Sequence, residues 1–303
     1  MGFRQLYIKK ANTLKYKQNN IIIEREDEDD IMLPLDDISN ILIEDNSAII
    51  TVRLITELSS RGIGLVVCNE QYLPSAQVIS LNMHYNQVGI LELQLKMTQK
   101  YKDNIWKSIV KQKILNQKSI LDFCIQDEHR SEMLYEYSKQ IIPGDKDNKE
   151  GIAARIFFNA LYGEDFKRFG TSTISKALNY GYSILNSAMV RQLVFYGANT
   201  NLGVWHDSNG NPFNLASDLI EPYRALVDYY VFWHLSDLDD PLPKSVRKGL
   251  INLLNVDVFI DGKNYKVDDA IGITVKSFIS TLKDQDYKLI KLPEMNEVNY
   301  DYW

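Results

Sequence analysis

The stretch Leu91 to Leu121, LELQLKMTQKYKDNIWKSIVKQKILNQKSIL, is long, contains neither glycine nor proline, and reads as helix. What precedes it reads differently. From Arg4 to roughly Val78 the pattern is that of strands: Arg4 to Ile8 and Thr13 to Lys17 alternate, and Asn20 to Ile23 is β-branched. Ile31 to Leu35 and Ile38 to Ile43 continue it. One helix is expected within this region, Ser47 to Ser60, with Ile50, Leu54 and Leu58 at four-residue spacing and Gly62 as a stop. Gly64 to Cys68 and Gln77 to Ser80 are further strand candidates, and the period changes near Met83. The expected fold class is therefore α+β in two domains. A small β-rich domain occupies residues 1–82, a larger all-α domain residues 83–286, and a tail residues 287–303.

If the long helix is continuous, Lys96, Lys100, Lys107, Lys111 and Lys118 fall on one narrow face at spacings of four and seven. Such a stripe can track a nucleic-acid backbone by releasing counterions, or it is simply a solvated helix face. Ser131 to Ile142 is a further helix, stopped by Pro143-Gly144. Asp147 followed three residues later by Glu150 resembles a capping box at the start of EGIAARIFFNAL, Glu150 to Leu161. Ile174 to Tyr196 is a long apolar helix whose Gly181 costs about 1 kcal/mol against alanine, so close packing or a ligand is expected there. Asp261-Gly262 centres a hairpin over Asp257 to Lys266, and a helix follows from Val267.

Composition bounds the function classes. The 303 residues carry 45% hydrophobic and 24% charged residues, ordinary for a soluble globular protein. No run approaches ~18 uninterrupted apolar residues, and the start lacks a signal-peptide pattern. Cys68 and Cys124 lie far apart in apolar sequence, as buried thiols of a reducing cytoplasm do. The net charge of −6 argues against a nucleic-acid partner until its distribution is considered. Acidic residues crowd into Glu24 to Asp30, expected as a turn between strands, whereas the middle of the chain carries repeated lysines.

The chemistry gathers between Gly203 and Asp228, GVWHDSNGNPFNLASDLIEPYRALVD. His206 lies in a loop dense in Asp, Ser, Asn, Gly and Pro. Asn214 offers an N-cap for a helix from Leu215, along which Asp218, Glu221, Arg224 and Asp228 form one stripe, kinked by Pro222. His84 and His129 have no carboxylate at ligand spacing on a shared face, and His234 lies in an aromatic helix as a hydrogen-bonded core residue does. A site of Glu150, His206 and Glu221 offers two carboxylates and one imidazole, which suit Mn²⁺ well and Mg²⁺ acceptably. Such an ion polarises a phosphodiester and activates a water or sugar hydroxyl. No Gly-rich phosphate loop, dinucleotide fingerprint or nucleophile elbow is present.

Four ordered blocks carry a resemblance: KEGIAARIFF around Glu150, LNYGY at Leu178 to Tyr182, His206 after GVW, and NPFNLASDLIEPYR from Asn211 to Arg224. With the β-then-α layout, they resemble the CRISPR-associated adaptation integrases, the first-numbered family of CRISPR-associated proteins, most closely its subtype II-A members. The resemblance implies metal ligands at Glu150, His206 and Glu221, with Asp218 supporting the site and Arg224 orienting the carboxylates or meeting a phosphate. It further implies a homodimer joined through the N-terminal domains and a dimer of the small second CRISPR-associated protein as partner. The implied substrates are double-stranded DNA, both a captured fragment and the CRISPR repeat, joined by transesterification. Two rivals stand beside this reading: a stand-alone metal-dependent DNA nuclease, which needs the same three ligands, and a non-catalytic DNA-capture scaffold.

Overall fold

The computed structural model describes residues 2, 4–26, 28–81 and 84–295. Two compact units divide the chain, residues 1–85 and 86–303.

In the first unit, β1 (Arg4–Ile8), β2 (Thr13–Lys17), β3 (Asn20–Glu24), β4 (Ile31–Pro34), β5 (Ile38–Ile43) and β6 (Ile49–Ile50) precede helix α1 (Val52–Ser60). β7 (Gly64–Cys68) and β8 (Pro74–Val78) follow it. One sheet has the order β1-β5-β7-β8, parallel except for its last pair; the other has the order β4-β3-β2-β6. The acidic run joins β3 to β4, with Arg25 Nε donating to the Asp29 carbonyl at 3.0 Å. Ile8, Leu14, Ile21, Ile41, Leu54, Leu58 and Leu65, drawn from both sheets and α1, form one apolar core. The helix expected from Ser47 begins only at Val52. Ile49 and Ile50 pair in parallel with Thr13 and Leu14, and Thr51 then caps the helix, its side chain accepting from Leu54 N–H.

The second unit contains α2 (Gln87–Leu95), α3 (Gln99–Cys124), α4 (Glu128–Gln140), α5 (Lys149–Tyr162) and α6 (Thr173–Phe195). After these come α7 (Asn214–Leu219), α8 (Arg224–Trp233), α9 (Lys244–Asn252), the hairpin β9 (Asp257–Ile260) and β10 (Lys263–Lys266), and α10 (Val267–Asp284). The hairpin turns on Asp261 and Gly262, both at positive φ. The expected continuous helix from Leu91 is two helices. Thr98 is extended, and its hydroxyl accepts from Tyr101 N–H, so a threonine cap starts α3 afresh. Lys96 therefore caps the end of α2 and leaves the stripe expected for it. α3 is the central helix, packed against α4, α5, α8 and the 3-10 turn Glu221–Tyr223. The segment from residue 287, expected as an extended, disordered or docking tail, is packed as far as Met295. Asn116 of α3 donates to Pro293 O at 2.9 Å and accepts from Met295 N–H, and Glu294 pairs with Phe259. No helix among the described residues is long and apolar enough to cross a membrane.

Two features of the helical core make measurable commitments. A methyl group on Gly181 of α6 would sit 2.5 Å from Val227 Cγ1 of α8 and 3.1 Å from Leu250 Cδ2 of α9, so close packing is what this glycine serves. Gly181→Ala is expected to lower unfolding free energy by about 1–3 kcal/mol in urea titrations, despite alanine's better helix propensity. Beside it, the buried Asp228 carboxylate accepts from the Tyr182 hydroxyl, and burial pushes its pKa from 3.8 up to about 7. The folded protein therefore keeps this proton from about pH 4 to 7 while the unfolded chain has lost it. Stability from this group is present in acid and declines as pH rises through that window, by about 1.4 kcal/mol per pH unit. Asp228→Asn removes the decline, so variant and wild type should match near pH 4 and diverge in the variant's favour by pH 8 in thermal melts. Parallel curves would contradict this account.

Candidate active site

Glu150 stands in the first turn of α5. The cap of that helix is Asn148, held in the left-handed conformation, whose side chain accepts from Gly151 N–H at 3.2 Å. Asp145 takes the two preceding orphans, accepting from the N–H groups of Lys149 and Glu150 at 2.9 Å each. The capping box expected between Asp147 and Glu150 is thus displaced by Asn148 and Asp145. Glu150 is left to reach out of the helix, and its carboxylate pairs with the ammonium of Lys113 on α3.

His206 is fixed by Asp218. That carboxylate, 0% exposed, accepts from the backbone N–H groups of Val204 (2.6 Å), Trp205 (3.1 Å) and His206 (3.0 Å) and lies 2.7 Å from His206 Nδ1. One acid on α7 therefore pins the loop by three amides and a ring. Asp218 already accepts from three N–H groups and accepts from the ring as well, so Nδ1 carries the proton and, in the neutral ring, Nε2 keeps its lone pair. The hydrogen bond to Asp218 raises the imidazole pKa above 6.5, against the opposing pull of burial. Gly203 is required here: a Cβ would meet His206 O at 2.3 Å and Asp218 Oδ2 at 2.8 Å. Asn214, expected as an N-cap, is the first residue of α7. Its side chain instead ties the loop, donating to Asn201 O and Ser208 O. Next to the histidine, the half-exposed Trp205 ring stacks on the buried Trp106, centroids 5.3 Å apart and nearly parallel.

Glu221 opens the 3-10 turn that Pro222 imposes between α7 and α8. Asn116 donates to Pro222 O at 2.7 Å, and the Tyr223 hydroxyl bonds Thr274 of α10 at 2.8 Å, so α3 and α10 clamp the turn. The carboxylate is 3% exposed. Its Oε2 lies 2.6 Å from Lys113 Nζ, and its Oε1 lies 3.0 Å from Arg224 Nη2. Burial pushes its pKa up, but Arg224 and Lys113 outweigh burial and hold it below the usual carboxylate value. The stripe expected along one helix is thus divided by the turn. Asp218 faces the His206 loop, Glu221 and Arg224 face Lys113, and Asp228 faces Tyr182, over whose ring Arg224 lies at 4.8 Å.

The structure therefore brings Glu150 and Glu221 together on Lys113, and couples His206 to Glu221 electrostatically. Among the described residues no group of three or more His, Cys, Asp or Glu is gathered closely enough to hold a metal ion. Lys113 was not singled out by the spacing argument, which followed the lysines four and seven apart. The phase of α3 does mark it: Ile109, Val110 and Ile114 are buried, and position 113 falls on their arc, away from Lys111. Of the stripe itself, Lys100 and Lys111 are exposed, Lys107 is half-buried, and Lys118 pairs with Asp122 at 2.5 Å.

Residues 6–238 match the family model described as CRISPR associated protein Cas1. The chain is 36% identical over 298 residues to the CRISPR-associated endonuclease Cas1 of Neisseria meningitidis serogroup C, covering 97% of each. Its fold is similar to that of a casposase bound to its integration product, with TM-score 0.77 at 18% identity, covering 99% of this chain and 97% of that one. It is also similar to a chain of a Cas6-RT-Cas1–Cas2 complex, with TM-score 0.74 at 18% identity, covering 97% of this chain and 36% of that one. A family model spanning most of the sequence and a relative of this identity along its full length together place the chain in the CRISPR-associated Cas1 family.

Proposed function

We propose that this protein is a divalent-metal-dependent DNA integrase of CRISPR adaptation, joining the 3′-hydroxyl ends of captured DNA fragments to the CRISPR repeat by transesterification. The observation that carries the reading is the meeting of two carboxylates from distant elements, Glu150 and Glu221, at one buried cation. An electrostatically coupled imidazole stands with them, its Nδ1 held by Asp218.

The donor chemistry fits Mn²⁺ or Mg²⁺. Glu221 Oε2 is buried against the Lys113 ammonium, Glu150 extends free of its helix cap, and the neutral His206 ring keeps Nε2 available. Glu150, His206 and Glu221 would hold the ion, which when bound lowers the pKa of the attacking hydroxyl and offsets charge developing on phosphorus. The chain's own contribution is preorganisation. Asp218 sets the tautomer and orientation of His206, Asn116 and Thr274 immobilise the Glu221 turn, and Arg224 keeps Glu221 ionised. The exposed lysines of α3, Lys100 and Lys111, with Lys107 and Lys118 beside them, suit contact with DNA phosphates, and Lys96 is a separate contact at the end of α2.

The partners follow the same reading. Double-stranded DNA as substrate is supported by the fold shared with a casposase bound to an integration product, and a small second CRISPR-associated protein by the fold shared with a chain of the Cas1–Cas2 complex. The N-terminal unit is the dimerisation domain of a homodimer, in keeping with the exposed Met32, Ile49 and Val52 on its surface. A stand-alone nuclease would use the same three side chains and differ only in the nucleophile.

The deciding assay supplies a 3′-hydroxyl DNA fragment, the small partner protein and a supercoiled plasmid bearing the array, with Mn²⁺, and scores covalent fragment–plasmid product against nicks alone. Nicking without joining would favour the nuclease; neither product would favour the scaffold. Asp218→Asn should slow joining about 10- to 100-fold through a misoriented His206, and Glu221→Gln, which removes a ligand, should cost more. For the lysines, each of Lys100, Lys107 and Lys111 that meets a phosphate should reduce the slope of log affinity against log salt by about 0.9 when changed to glutamine. An unchanged slope would remove the stripe from the interface.

A further inference from the structure

We infer that Lys113 is a tethered counter-cation: its ammonium holds Glu150 and Glu221 together in the metal-free protein and must withdraw for a divalent ion to enter, so this side chain sets the metal affinity of the site. The inference rests on the metal-dependent reading given above.

Position comes first. Lys113 is only 9% exposed, a lysine on the apolar arc of α3, and burying an ammonium is unfavourable unless opposite charge meets it. Its Nζ pairs with Glu150 and lies 2.6 Å from Glu221 Oε2, in the gap between the two carboxylates. Carboxylate oxygens bind Mg²⁺ at about 2.0–2.1 Å, so an ion between these two acids would need the very space that the ammonium fills. The contact with Glu221 is also of a kind that an ion can replace. It is an ion pair between Nζ and Oε2, and a divalent cation offers the same carboxylate the same kind of charge contact.

Charge counting points the same way. The cluster holds two anions, Glu150 and Glu221, and two cations, Lys113 and Arg224, and is neutral as it stands. A divalent ion added with Lys113 in place would leave two positive charges in excess beside a buried carboxylate. Withdrawal of Lys113 halves that excess. Arg224 cannot play the same part, because its guanidinium meets the opposite oxygen, Oε1, and lies over the Tyr182 ring, whereas the lysine head sits on a flexible four-carbon stem.

The test measures Mn²⁺ binding to the purified, metal-free full chain by calorimetry and by the electron paramagnetic resonance signal of free Mn²⁺. Lys113→Met, which keeps the stem and removes the charge, should bind Mn²⁺ about tenfold tighter or more, while Lys113→Arg should not. Metal-free Lys113→Met should melt below wild type and recover on adding Mn²⁺, since its carboxylates lack a counter-charge until the ion arrives. In wild type, amine-reactive labelling followed by mass spectrometry should show Lys113 protected without Mn²⁺ and modified with it. Tightening in Lys113→Met together with this unmasking supports the inference. Unchanged affinity in Lys113→Met overturns it, as does continued protection at saturating Mn²⁺, and the labelling alone decides should Lys113→Met fail to fold. Glu221→Gln separates the two readings. If it abolishes Mn²⁺ binding while Lys113→Met changes nothing, only the role of Lys113 falls. If it binds Mn²⁺ as wild type does, the ion lies elsewhere and both readings fall.

Discussion

A carboxylate removed from water must be met by positive charge or take up a proton, and that constraint organises the helical unit of this protein. Glu221 is met from one side by Lys113 of α3 and from the other by Arg224 at the start of α8, while Lys113 is shared with Glu150 at the start of α5. Breaking such a buried pair from one side typically costs about 3–5 kcal/mol, because the remaining charge is stranded. Three helices and a 3-10 turn are thereby held in one arrangement. Apolar packing alone, being non-directional, would not specify which side chains meet. The neighbouring Asp228 shows the other outcome: with a tyrosine hydroxyl as its directed partner, it takes up a proton near neutrality.

Asp218 and Glu221, three residues apart, do opposite work. Asp218 is spent on directed bonds, three to backbone amides and one to an imidazole, and it gives a loop without regular secondary structure a single conformation. Glu221 has ionic contacts with Lys113 and Arg224. The first holds a shape, and the second holds two cations. Pro222 makes the division possible, because by interrupting the helix it turns the two carboxylates away from a common face.

α3 is two-sided in a way that suits an enzyme acting on DNA. One face carries exposed lysines toward solvent, and the opposite face delivers Lys113 and Asn116 to the site, the second of these anchoring both the Glu221 turn and the C-terminal segment. In the proposed function, a backbone-binding surface and the reacting centre would thus share one rigid element. That is the arrangement expected when positioning supplies most of the catalytic advantage.

Local pattern along the chain is enough for the passage from alternating to helical period near residue 83, the hairpin at Asp261-Gly262, and the candidacy of Glu150, His206 and Glu221. Each of these is written in residues close along the chain or in the four blocks shared with the family. The tertiary structure alone decided the rest. Asn148 and Asp145 take the cap that Asp147 was expected to hold, because loop dihedrals select the donor that fits and several polar residues compete. Thr98 divides a helix that looked continuous, since a hydroxyl can cap as well as tolerate the helical state. Lys113 meets acids 37 and 108 residues away, and in a segment of many lysines only the packing of α3 tells the one that faces inward from those that face water. Local pattern fixes which face a residue occupies; the partner across that face is fixed only when distant segments fold against it.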